Sequence, residues 1–296
     1  MVGLRKYTTN AWLIKNEYYA SARLDQQFAM LTQSFLARGI ALTIKTNAEF
    51  CFPLGESITD DMPAFAIMWD KDIILARRLQ SFGIRLFNSA DAIATCDDKT
   101  LMQLAFEKCN LPTPKTIIAP MTYDNIGYTN LDFLSTVAAN IGFPLVIKEA
   151  KSSYGLGVYK ADTLQQAEQI LKKISYPIIF QQFVQTSFGR DIRVNVIGDE
   201  VVCAVQRLND HDFRSNVLQG GSMSALTLTP SIVNLALRAS ASVGCDFCGL
   251  DLLYGDNDQL LVCEVNTSAH FGTVFAVTGI NLADKIADYI TKKIAK

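Results

Sequence analysis

Two hydrophobic periodicities alternate along the chain. Between residues 11 and 46 an apolar run, AWLI, is followed by Leu24, Phe28, Leu31 and Phe35 at helical spacing, then by Gly39 and a second run, IALTIK. Strand, helix and strand in that order predict a βαβ opening. A further run, AFAIMW, precedes a helical stretch, DIILARRLQSF, and a short strand, IRLFN, the alternation of a parallel sheet with helices packed on it. This first unit is expected to end near residue 95.

Asp97 or Asp98 then suits the N-cap of a helix running to about Cys109 and stopped by Asn110 and the prolines of LPTP. A strand (TIIAP), a helix near 131–141, the strand FPLVIKEA, a glycine-bearing segment (SSYGLGVYKA) and a helix over about 163–174 follow. After YPIIFQQFV the pattern becomes that of antiparallel hairpins. DIRVNVI turns at Gly198 and Asp199 into EVVCAVQRL, and after a helix over about 230–243 come CGLDLLY, QLLVCEVN and a closing helix from about 281.

With 296 residues, 49% hydrophobic and 19% charged, the chain is an ordinary globular protein of two or three compact units. A formal net charge of -2, with 27 basic and 29 acidic residues interspersed, supplies no basic field for nucleic acid. No run approaches the roughly 20 apolar residues that span a bilayer, and the segment after Arg5 and Lys6 is too polar for a signal peptide. A cytoplasmic location without membrane contact is expected. Most of the seven cysteines lie in apolar runs, as Cys203 and Cys263 do, and read as small hydrophobes. The CxxC pair Cys245 and Cys248 has no partner set in the sequence for zinc and reads as core.

The last hairpin carries the most informative chemistry. Asp251 lies on one arm, and Glu264 and Asn266 share a face of the other; Leu250, Leu252, Leu261, Cys263 and Val265 form the opposite face. If the turn is centred on Asp256 to Gln259, Gly255 pairs with Leu260 and Asp251 stands across from Glu264. Two facing carboxylates and an amide suit a hard divalent cation; a solvated polar hairpin face is the alternative. Lys148 interrupts the strand PLVI just before Gly155 and Gly157, whose amides are free to approach phosphate oxygens. The GxxxxGK[ST] and GxGxxG spacings are absent, so on this feature alone a hairpin turn with an edge lysine is the better reading. Alternation in DIRVNV places Asp191, Arg193 and Asn195 together, with Arg207 and Arg214 nearby: guanidinium groups for a phosphoryl group, or an ordinary polar sheet face.

Taken in order, FPLVIKEAKSSYGLGV, IIFQQFV, GRDIRVNVIGDEVVCAVQR, DFRSNVLQGGS, GLDLL and CEVNTS resemble the ATP-grasp ligases of the RimK type over about residues 88–292. The resemblance implies an α/β fold with an N-terminal parallel α/β domain over 1–95 and two ATP-grasp subdomains, 96–183 and 184–296, whose antiparallel sheets enclose ATP. It assigns Lys99 and Lys148 as nucleotide lysines and Ser152, Ser153, Tyr154, Gly155 and Gly157 as the loop over the phosphates. Gln182 and Phe183 fall at the adenine hinge, and Asp191 near the ribose. Arg214, Ser215 and Asn216 match the nucleotide-proximal loop; Arg193, Arg207 and Arg214 act on the transferred phosphoryl; Asp251, Glu264 and Asn266 are the metal ligands.

The implied activity is ATP-dependent joining of a carboxylate to an amine through an acyl phosphate, with two Mg²⁺ ions for which Mn²⁺ can substitute. Glutamate or another amino acid would be added to a peptide, a protein or a small carboxylate, and relatives form homo-oligomers. A phosphotransferase and a non-catalytic nucleotide-binding module are the rival readings. Two departures stand out: Gln182 replaces the common hinge glutamate, and Asn266, Thr267, Ser268, Ala269 and His270 replace Asn-x-Ser-Pro-Gly. His270 is therefore either an acceptor or proton-handling group or a structural loop residue, and His211 is expected in an exposed loop.

Overall fold

The computed structural model describes residues 9–295, apart from 57, 59–61, 124, 154, 175, 216–220 and the side chain of 258. Tyr154 and Asn216 therefore lie outside the described residues.

The first sheet is parallel, in the order β2-β1-β3-β4, from β1 (Thr9–Lys15), β2 (Ile40–Thr46), β3 (Ala66–Met68) and β4 (Leu86–Phe87). Helix α1 (Ala22–Leu36) begins at Ser21, whose hydroxyl accepts from Leu24 N. It buries Phe28, Leu31 and Phe35, the helical positions of the sequence pattern, each worth roughly 1.5–3 kcal/mol in apolar burial. Helices α2 (Ile73–Ser81) and α3 (Ala90–Asp97) cover the other face with Leu75, Leu79 and Ile93. The sequence reading missed α3, a short alanine-rich helix capped by Ser89.

Helix α4 (Lys99–Lys108) follows at once, with Asp98 as its cap: Oδ1 accepts from Thr100 N at 2.8 Å and Leu101 N at 3.4 Å. The second sheet, β5-β8-β6-β7, contains β5 (Thr116–Ile118), β6 (Leu145–Glu149), β7 (Val158–Ala161) and β8 (Ile178–Gln182). All its pairings are antiparallel, so hairpin geometry begins earlier than the sequence pattern indicated. Helices α5 (Phe133–Ile141) and α6 (Leu164–Leu171) pack on one face, with Leu134, Val137, Ala167 and Leu171 against Leu145, Ile147 and Phe180.

The third sheet joins the two hairpins expected near the C-terminus into one antiparallel array, β11-β10-β9-β12-β13. It comprises β9 (Arg190–Ile197), β10 (Glu200–Leu208), β11 (Ser222–Leu226), β12 (Phe247–Tyr254) and β13 (Leu260–Asn266). Helix α7 (Pro230–Ser242) and Met102 and Phe106 of α4 cover one face. On the other, Ile197, Val205 and Phe247 merge with the first sheet's core, together with α8 (Gly272–Thr278) and α9 (Leu282–Ile294). Asn88, fully buried, fastens this junction: Nδ2 donates to Phe247 O at 2.9 Å, and Oδ1 accepts from Asp246 N at 2.6 Å. Among the described residues no helix is long and apolar enough to cross a membrane.

Candidate functional site

Sheets two and three face each other across a cleft, and strand alternation decides what enters it. On β6, Leu145 and Ile147 point into the core while Val146 and Lys148 line the cleft. Lys148 is buried, and its Nζ donates to Cys263 Sγ at 3.6 Å. Lys99 opens α4, an unfavourable place for a cation, yet its Nζ donates to Ser152 O at 2.7 Å and Ser152 Oγ at 3.0 Å. Burial pushes the Lys99 ammonium below its ordinary value, with Lys148 and Lys71 adding to the effect and Glu264 opposing it.

The segment after β6 doubles back tightly, Glu149 N donating to Gly157 O at 2.8 Å. Gly157 has φ +63, and a Cβ there would stand 2.9 Å from Ser152 Cβ and 3.0 Å from Glu149 Cβ, so glycine is required. The loop is tied from both sides: Lys71 Nζ donates to Ser153 Oγ at 2.7 Å and Arg214 Nη1 to Gly155 O at 2.8 Å. Arg214 is itself oriented by Asp212, Nη2 to Oδ2 at 2.7 Å.

The β12–β13 hairpin holds the oxygen-rich end. Asp251 does pair with Glu264, but Leu260 pairs with Tyr254 rather than Gly255, and a bulge between Leu252 and Asp251 absorbs the one-residue offset. The bulge corrects the expected faces. Val262, not Cys263, joins Leu250, Leu252 and Val265 in the core, while Cys263, Glu264 and Asn266 all line the cleft. Burial pushes the Cys263 thiol up to about 11, against the pull of Lys148.

A buried chain of alternating charge crosses the third sheet. Arg193 donates to both oxygens of Asp251, Arg207 to both oxygens of Asp191, and Arg207 Nη2 also reaches Asp251 Oδ2 at 2.9 Å. Ser215 Oγ donates to Asp191 as well. Burial works to raise the Asp251 carboxyl, but Arg193 and Arg207 overcome it and hold it at about 2. Burial, with Asp251 adding repulsion, pushes Asp191 up against the pull of Arg207. These bonds engage Nε and Nη2 of each guanidinium.

At the far end, Gln182 is exposed and exchanges hydrogen bonds with Lys115: its N donates to Lys115 O at 2.8 Å, and its Oε1 accepts from Lys115 N at 3.3 Å. Phe183 contacts Phe188 and Phe213, with Lys160 Nζ 5.1 Å over its ring.

One cavity of about 160 Å³ is lined by Lys99, Lys148, Ser152, Ser153, Gly155, Gln182, Phe183, Asp191, Arg207, Arg214, Ser215, Asp251, Glu264 and Asn266. Gly157 shapes its loop without lining it, and Arg193 faces a neighbouring cavity of about 670 Å³. The two cavities share Ser153, Arg207, Glu264 and Asn266. The larger one brings in residues that the sequence reading did not single out, among them Lys15, Arg23, Trp69, Asp70 and Lys71, because it is built at the junction with the first sheet. His270 lines it: its Nδ1 accepts from Gly272 N at 3.2 Å, and its Nε2 is buried with no hydrogen-bond partner among the described residues. His211 is exposed. The seven cysteines are free thiols, and Cys96 Sγ lies 3.6 Å from Cys245 Sγ, beside the CxxC pair.

Asp251, Glu264 and Asn266 gather oxygen atoms at one end of the cleft. The donors are all oxygen, Asp251 is held ionised, and Asn266 uses Nδ2 to bond Glu264 Oε1 at 3.1 Å, leaving its carbonyl oxygen to a cation. Among the described residues no group of three His, Cys, Asp or Glu side chains is placed to hold a metal. Two carboxylates and an amide are the donor chemistry that would suit Mg²⁺, although both Asp251 oxygens also accept from Arg193 and Oδ2 meets Arg207 as well.

A cleft between two antiparallel sheets, floored by paired lysines and roofed by a glycine loop, defines the ATP-grasp class of fold. Residues 96–290 match the RimK-like ATP-grasp domain, and the chain belongs to that family. A probable alpha-L-glutamate ligase of Trichodesmium erythraeum is 33% identical over 228 residues, covering 75% of this chain and 73% of its own. The beta-citrylglutamate synthase B of Danio rerio is 30% identical over 264 residues, 85% of this chain, which thus spans only 63% of that relative's length. The crystal structure of a RimK domain protein from Sphaerobacter thermophilus has the same fold, with TM-score 0.74 at 20% identity, over 95% of this chain and 98% of that one.

Proposed function

We propose that the protein is an ATP- and Mg²⁺-dependent ligase that joins a carboxylate to an amine. The observation that carries this reading is the meeting of two cavities at Glu264, Asn266, Arg207 and Ser153. A slot lined by lysines and an oxygen set opens there into a space for a second reactant.

In this reading Lys99 and Lys148 neutralise phosphate oxygens, and the loop from Ser152 to Gly157, with Tyr154, covers them and excludes water. Gln182, Phe183 and the adjoining main chain hold the adenine, Asp191 the ribose side, and Arg214, Ser215 and Asn216 the phosphate-proximal face. Asp251, Glu264 and Asn266 would hold Mg²⁺, two ions or Mn²⁺ in their place, whose positive charge supports phosphoryl transfer. Arg193 and Arg207 present Nη1 to the phosphoryl group while Asp251 and Asp191 fix their orientation.

A carboxylate oxygen attacks the γ-phosphorus and ADP departs. An amine nitrogen then attacks the acyl carbon, the C–N bond forms, and phosphate leaves with the electron pair while the amine's proton passes to it or to water. An amino acid such as glutamate, joined to a peptide, a protein or a small carboxylate, is the expected product class, by analogy with the relatives' names.

The test is hydroxamate formation. The protein is incubated with ATP, Mg²⁺, hydroxylamine and a panel of carboxylates, including amino acids and acidic peptides. Hydroxamate that appears with one carboxylate and disappears in Glu264→Gln supports the ligase; ADP release without hydroxamate overturns it in favour of plain phosphoryl transfer.

A further inference from the structure

The larger cavity contains a carboxylate with no counter-charge. Asp70 lies just beyond the carboxyl end of β3, and Asn16 just beyond that of β1, its parallel neighbour. Ligands bind open α/β sheets in the crevice outside those ends. Asp70 is half-buried and lines the cavity. Asn16 Nδ2 donates to its Oδ2 at 3.1 Å and Lys71 N to its Oδ1 at 2.7 Å, which fixes the carboxylate in place.

Of the other carboxylates in and beside the two cavities, Asp191 and Asp251 meet Arg207 and Arg193, and Asp97 meets Lys71 Nζ at 2.7 Å; Glu264 has no ion pair among the described residues, accepts from Asn266 Nδ2 at 3.1 Å and acts on the Lys99 ammonium from further off. Among the described residues no lysine, arginine or histidine side chain pairs with Asp70. The strongest charges acting on it, Asp72 and Asp97, are both negative. A carboxylate withdrawn from water among like charges is unfavourable until a cation reaches it.

We propose that Asp70, oriented by Asn16, receives the ammonium group of the amine substrate. The inference rests on the ligase reading and deepens it. A space of about 670 Å³ is far larger than ammonia needs, so the amine is borne on a body of amino-acid size or larger. Trp69, Phe28 and Tyr18 line the same space and offer apolar surface to that body.

The test uses amines as competitors of hydroxylamine, itself neutral at pH 8, in the hydroxamate assay. Glycine, L-glutamate, L-lysine, diglycine and putrescine are each titrated against wild type, Asp70→Asn and Asn16→Ala. At least one should suppress hydroxamate formation in wild type. Its half-suppressing concentration should rise tenfold or more in Asp70→Asn and less in Asn16→Ala, while KM for ATP stays within twofold. The Tm of Asp70→Asn should equal or exceed that of wild type, since the charge removed has no partner. Equal suppression in wild type and Asp70→Asn, or no suppression by any amine in wild type, would overturn the proposal while leaving carboxylate activation intact. A wild type that forms no hydroxamate with any carboxylate fails the ligase reading first, and this inference with it.

Discussion

Arg193 of β9 and Asp251 of β12 are directly opposite each other in the antiparallel ladder, and the guanidinium donates to both oxygens of the carboxylate. With Arg207 and Asp191 they form a buried alternating row that places positive charge at the junction of both cavities. Removing one member leaves an uncompensated charge, so Asp251→Asn should lower unfolding free energy by about 3–5 kcal/mol. Urea denaturation at pH 7 measures this.

The same pair sets an acid dependence. The folded Asp251 carboxyl is depressed to about 2, below its unfolded value near 3.9. Its contribution is therefore fully present above about pH 4 and is lost as pH falls through about 2, on the order of 2 kcal/mol in all. Asp191, shifted upward, acts in the opposite sense. The stability gap between wild type and Asp251→Asn should accordingly narrow between pH 5 and pH 2, as urea unfolding at a series of pH values would show.

The oxygen set at Asp251, Glu264 and Asn266 is too small to enclose an ion alone. Calorimetry should find Mg²⁺ binding without nucleotide weaker than about 1 mM and at least tenfold tighter with ADP present. Glu264→Gln should abolish the enhancement. Tight binding of Mg²⁺ to the nucleotide-free protein would contradict the proposed site.

Gly157 should tolerate no side chain. Alanine there combines a strained positive φ with contacts of 2.9 Å and 3.0 Å, costing on the order of 1–2 kcal/mol. Turnover should drop tenfold or more with a Tm loss of only a few degrees, because the distortion is confined to the loop over the phosphates. A Gly157→Ala enzyme with wild-type kcat would exclude that role.

Cys263, raised to about 11, is protonated at pH 8 and shielded by Lys148 and the cleft. Iodoacetamide at that pH should alkylate the exposed Cys51 and Cys109 and spare Cys263, as peptide mass spectrometry would report. Reaction at Cys263 as fast as at Cys51 would show that the cleft leaves the thiol open.

Much of this arrangement is local in sequence and legible there. Period-2 alternation separated Asp191 and Arg193 from Ile192 and Val194, since a strand's side chains alternate whatever it pairs with. A hairpin's arms are adjacent in sequence, so the Asp251–Glu264 pairing could be read; the bulge that moves Cys263 into the cleft could not, because a bulge is a response to packing. Helix α3 was lost for want of a strong apolar stripe.

The sequence by itself determined most of the elements, the alternation of faces along strands away from the bulge, and the identity of the charged groups, because periodicity, caps and turn residues act over a few positions; α3, β11 and α8 were not legible there. Only the tertiary structure decided which charges neutralise one another. The pairing of β9 with β12 sets Arg193 against Asp251 across 58 positions of chain, and the first sheet's docking on the third brings Asp70 into the larger cavity with no cationic side chain paired to it among the described residues. The first is a ladder between strands far apart in the chain, and the second follows from burying two apolar sheet faces together, a free energy that depends on area removed from water and leaves no mark at any single residue.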